Sequence, residues 1–152
     1  MMRRFRMYTT FALVALLGAV VAAQGVPTKI ATLADHVAVM KSNAQANGAL
    51  NKALGSGAFA DARMQVVTLR QNLTTLRGFW TGRNQDALMI VNSGLMRLDA
   101  MDKMLAAPAP DQVAAQAAAK EFGGNTCGAC HKQFREGDAQ TGFKFRDSKH
   151  MP

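Results

Sequence analysis

Both cysteines of this 152-residue chain fall inside one five-residue stretch, Cys127-Gly128-Ala129-Cys130-His131. Two thiols and an imidazole so spaced have three chemistries open to them. Dithiol–disulfide exchange places C-x-x-C at a strand-to-helix junction of a βαβ unit, and no strand alternation flanks the motif. A structural zinc site needs four ligands, and only His36 and His150 remain to complete one. The third chemistry is covalent haem attachment, for which C-x-x-C-H is the signature. On a helix, Cys127 and Cys130 project their sulfurs from one face, where they can form thioethers with two vinyl groups. His131, four residues beyond Cys127, offers its imidazole to iron on that same face. Gly128, Ala129 and, one turn earlier, Gly124 are small enough for a flat macrocycle to lie near the backbone. The expected cofactor is one covalently attached haem c, with its iron bound by His131.

The elements that must position this motif read as helices throughout. A first segment over residues 28–54 places Leu33, Val37, Met40 and Ala44 on one face. Asn43, Asn47 and Gly48 interrupt that stripe, so its second half is the weaker helix. Residues 60–79 carry Ala62, Val66, Leu69, Leu73, Leu76 and Trp80 at alternating spacings of four and three, the seam of a helix packed against near-antiparallel neighbours. Residues 85–105 repeat the spacing with Leu88, Val91, Leu95 and Leu98. The prolines of Ala106–Pro110 end that helix. A fourth helix starts at Pro110 or Asp111 and runs to about Arg135, with Gly123-Gly124 either breaking it or letting something bulky approach its backbone. Short loops between four helices predict an all-α, antiparallel up-down-up-down bundle with the motif on its C-terminal helix. Met64, Met89, Met96, Met101 and Met104 are read as flexible core filler. Residues 137–152 form a polar tail containing Phe143 and Phe145, either wrapped against the bundle or loose.

The N-terminus reads as a targeting segment. Arg3, Arg4 and Arg6 precede an apolar run of thirteen residues, Phe11 to Ala23, closing on Val21-Ala22-Ala23. This is the pattern of a secretory signal peptide over residues 1–23, cleaved before Gln24. The run is short of the roughly 20 residues that span a bilayer, and no cysteine stands near the cleavage site to take a lipid. Residues 24–136 then form the functional domain, and the expected location is the periplasm. Eighteen Lys and Arg against ten Asp and Glu give a net charge of +8, and losing three arginines with the leader lowers it to +5. A mildly basic surface suits acidic or membrane-bound redox protein partners. Scattered basic residues without a binding motif speak against nucleic acid.

On these residues the chain resembles the class II cytochromes c, the family of cytochrome c′ and its low-spin, methionine-ligated relatives. The resemblance rests on the C-terminal placement of Cys127-Gly128-Ala129-Cys130-His131, its flank Lys132-Gln133-Phe134-Arg135, and the four-helix pattern over residues 28–135. It implies a left-handed bundle with haem held between helices, His131 as proximal ligand, and Arg135 near that histidine. It also implies that the first helix forms the distal side, where methionine gives a six-coordinate, low-spin iron and an apolar residue leaves the iron five-coordinate. Val39-Met40-Lys41-Ser42-Asn43 is similar to the methionine-ligated branch, with Met40 at the ligand position. Mid-helix on the inward face, the Met40 thioether could reach the iron. His36, one turn earlier, falls where the family often has a basic residue near a haem propionate. A propionate contact is its favoured role, ahead of a surface histidine or bis-histidine ligation; Lys41 and Arg77 are further candidates. Two strong axial ligands close the iron to substrate and make an electron carrier. The alternative is a five-coordinate protein binding NO or CO. No nucleophile–base constellation suggests an enzyme. The family contains monomers and dimers, leaving a homodimer open.

Overall fold

The structure is a computed structural model that describes residues 25–137, 142–147 and 150. The signal peptide expected over residues 1–23 lies outside the described residues, as does part of the tail. Four long helical rods dominate: α1 (Leu33–Gly55), α2 (Phe59–Trp80), α3 (Gln85–Leu105) and a composite rod. That last rod runs through α4 (Gln112–Phe122), a π-helical stretch (Gly123–Gly128) and α5 (Ala129–Phe134) without leaving helical backbone. Each rod packs on the next, and α4 closes back on α1. No helix among the described residues is long and apolar enough to cross a membrane.

Local chemistry explains the ends. Thr32 caps α1: its hydroxyl accepts from the Asp35 N–H at 3.1 Å, while the Asp35 carboxylate accepts from the Thr32 N–H at 2.8 Å. These bonds, with one from the Ala31 N–H, hold the Asp35 carboxyl below its ordinary range. Asn84 and Asp111 cap α3 and α4 through the N–H groups of Ala87 and Ala114. Gly57 (φ 70°) and Gly82 (φ 74°) take the left-handed backbone that the two tight turns require. At the third connection, the Gln112 amide donates to the Leu54 and Gly55 carbonyls at 2.6 and 3.1 Å, tying the start of α4 to the end of α1.

The core is the α2 seam and the side chains that face it. Ala62, Val66, Leu69, Leu73, Leu76 and Trp80 are all buried, as their spacing predicts. Fully burying a Leu, Met or Phe contributes about 1.5–3 kcal/mol, and Leu50, Leu54, Leu69, Leu98, Met101 and Phe122 are all in that state. The weaker half expected of α1 is the better packed one, through Ala46, Leu50, Ala53 and Leu54. The α3 seam is Ala87, Val91, Gly94, Leu98, Met101 and Leu105; Leu88 and Leu95 lie beside it, half-buried. Gly94 belongs to the seam because α3 meets the π-helical stretch there: a Cβ would collide with Thr126 Cγ2 and stand 2.8 Å from Leu73 Cδ2. Met101 is core and Met104 packs on it, but Met64, Met89 and Met96 are exposed on outer helix faces, not core filler. Surface pairs Arg63–Asp102, Arg70–Asp99 and Arg97–Glu121 join neighbouring helices, and solvent screening leaves such exposed pairs little net effect on stability.

Directly after α5 the backbone becomes extended. Arg135–Glu136 (β1) pairs antiparallel with Lys144–Phe145 (β2), Arg135 opposite Phe145 and Glu136 opposite Lys144. The described part of the tail is therefore wrapped against the bundle, by a short ribbon that the purely helical expectation did not include.

Candidate functional site

A cavity of about 580 Å³ opens between α1, α2, α3 and the composite rod, within the roughly 300–1,000 Å³ of ligand sites. Its walls are mostly hydrocarbon: Leu33, Val37, Leu73, Leu76, Ile90 and Val91, with the rings of Trp80 and Phe134. All six residues singled out in the sequence line it. Met40 and His36 come from α1, Cys127 from the π-helical stretch, Cys130 and His131 from α5, and Arg135 from β1. The face of Leu33, Val37, Met40 and Ala44 is the cavity wall of α1 rather than its core face. Leu33 and Val37 stay 46% and 39% exposed, so the cavity opens to solvent on that side. Of the two further basic candidates, Lys41 is on the lining and Arg77 is not.

The motif helix differs from a plain α-helix. From Gly123 to Gly128 the backbone is π-helical, a geometry that widens the turn and recurs at functional sites. Gly123-Gly124 is thus neither a break nor an ordinary helical pair. A Cβ at Gly124 would meet nothing within 4 Å. The widened turn shifts the register of the residues after it, yet Cys127, Cys130 and His131 still reach one cavity.

Burial controls the site's protonation. Desolvation raises both thiols, Cys130 to about 11 with a further contribution from Cys127. Desolvation, then the neighbouring charge of Arg135, lowers His131; a neutral imidazole is the form that ligates a metal. His36 is held down to about 4, first by burial and then by His131. Its ring lies 5.6 Å from Phe79 and 4.6 Å from Phe145. At neutral pH it therefore offers a hydrogen bond rather than a full charge.

The donor set fits a covalently held haem: two protonated thiols, a neutral imidazole and a thioether around an apolar slot, with Lys41, Arg135 and Lys144 among its lining for carboxylates. Among the described residues, no three or more His, Cys, Asp or Glu side chains converge as ligands of a bare metal ion. Sequence reasoning missed three polar atoms here. Asn43 Oδ1, Asn47 Oδ1 and Thr126 Oγ1 are buried without a hydrogen-bond partner among the described residues, and all three residues line the cavity. Leaving such an atom unpaired costs about 1–3 kcal/mol. The interruption of the α1 stripe at Asn43 and Asn47 was their sequence signal. No protein-family model, curated protein or solved structure matches the chain.

Proposed function

We propose that this chain is an exported c-type cytochrome of the class II kind, carrying single electrons in the periplasm. The observation that carries this reading is the convergence of Cys127, Cys130, His131 and Met40 on one apolar cavity, from segments some ninety residues apart in sequence. Cys127 and Cys130 would hold the haem through thioethers, tying it to the C-terminal helix. His131 would ligate the iron proximally, and Met40 distally. When bound, the haem supplies a one-electron couple; methionine as the second axial ligand raises its potential.

The chain's own residues do the rest. Leu73, Leu76, Val91 and Trp80 give the cavity hydrocarbon walls that would bind the macrocycle's apolar faces. His36 and Arg135 would donate hydrogen bonds or charge to propionates. A redox protein partner would meet a surface of net positive charge, which favours an acidic docking face.

The test is the intact mass of the mature protein produced with a haem-maturation system. One haem mass added to the chain, and lost when both cysteines are replaced by serine, supports the reading. A mature chain without added mass overturns it.

A further inference from the structure

We propose that the ribbon of Arg135–Glu136 and Lys144–Phe145 is a built wall of the haem pocket, with Phe145 as a positioning residue that seats His36 and closes the pocket's edge against water. This inference rests on the haem reading above. The segment is anchored to the helix that bears His131. Its strand β2 pairs with β1, which follows α5 directly. The Arg146 N–H donates to the Phe134 carbonyl at 2.9 Å, and its guanidinium to the Arg135 and Lys132 carbonyls at 3.2 and 3.4 Å. Those are the carbonyls a helix leaves unsatisfied at its C-terminus, so the ribbon takes the place of a cap.

From that anchor the aromatic side chains reach inward. The Phe145 ring stacks at 6.1 Å on Phe79 and stands edge-on to Trp80 at 5.9 Å, in addition to its contact with His36. Further along, His150 is buried between Trp80 and Phe134, at 5.5 and 5.9 Å. Phe143, Lys144 and Phe145 line the same cavity as Met40 and His131. Arg135 lies 4.3 Å over the Phe143 ring, and Lys144 is held by Glu136 at 3.3 Å. Without Phe145, His36 would lose one of its two ring neighbours and the cavity would open at that edge.

Solvent exposure is one of the protein's means of setting a haem potential. Excluding water disfavours the more highly charged ferric state, so the wall raises the midpoint potential. The experiment is a spectroelectrochemical titration of the holoprotein, its Phe145→Ala variant and its Phe145→Leu variant. Phe145→Ala should keep covalent haem and helical content yet titrate at a lower midpoint, with Phe145→Leu restoring much of the difference. Should Phe145→Ala fail to fold, a lowered midpoint in Phe145→Leu supports the proposal in its place. A midpoint unchanged from the parent in folded Phe145→Ala, or in Phe145→Leu where that variant stands in, would overturn the proposal. Failure of the underlying haem reading is told apart by the parent protein itself, which would then carry no covalent haem.

Discussion

At the scale of single residues, the two thiols would, on the proposed haem reading, constrain when the cofactor is attached. The thiolate is the reactive form, and a value near 11 for Cys130 in place of 9 leaves roughly a hundredfold less of it at neutral pH. Attachment is therefore favoured before the bundle closes. Iodoacetamide should label Cys130 quickly in urea and at least tenfold more slowly in any haem-free fraction that folds; equal rates would contradict this order. Cys130→Ser should greatly reduce the yield of covalently haemylated protein, read by in-gel haem staining, and normal yield would argue against the assignment. The motif residues stood out in sequence because thioether chemistry permits few spacings, and the fold brings Cys127, Cys130 and His131 to one cavity. Met40 was legible only through its stretch of sequence, since its type alone does not separate it from Met64, Met89 or Met96, which prove to be exposed. Asn43 and Asn47 showed in sequence only as an interruption of the α1 stripe, and Thr126 not at all, because an unmet hydrogen bond depends on neighbours from other helices.

At the scale of elements, the helices were readable where period and caps agree. The α3 helix spans residues 85–105 as expected because Asn84 caps one end and the Ala106–Pro110 prolines close the other. The α1 helix starts at Leu33 rather than residue 28, since its Thr32–Asp35 capping box lies inside the apolar pattern. Thr32→Ala should cost about 1 kcal/mol, measured by urea denaturation. The π-helical stretch was hidden because nothing in hydrophobic period distinguishes it from an α-turn. Its contact with α3 gives a sharper test. Gly94→Ala places a methyl group against Thr126 and Leu73, and overpacking of this kind costs about 1–3 kcal/mol. The residue it displaces adjoins Cys127, so the loss of stability should come with altered haem incorporation, measured as haem per chain.

At the scale of the whole molecule, the cavity would, on the proposed haem reading, tie stability to the cofactor. Hydrocarbon walls around a cavity of about 580 Å³ lack packing partners until something fills it, and unfilled apolar space destabilises a fold. The chain without haem should lack the sharp thermal transition of the holoprotein, as followed by circular dichroism. Trp80, the sole tryptophan, lines the cavity, so its fluorescence should be strongly quenched with haem bound and recover in the Cys127→Ser, Cys130→Ser double variant.

On the proposed reading, Met40 and His131 would close the iron from two helices and make the chain an electron carrier. The most direct test is the visible absorption spectrum of the exported, mature protein, oxidised and reduced, with and without CO. A low-spin spectrum with a sulfur-to-iron charge-transfer band, unchanged by CO and converted to a CO-responsive high-spin form by Met40→Leu, is the expected result. A high-spin spectrum that shifts with CO in the parent protein would contradict the account and make this a gas-binding haemoprotein.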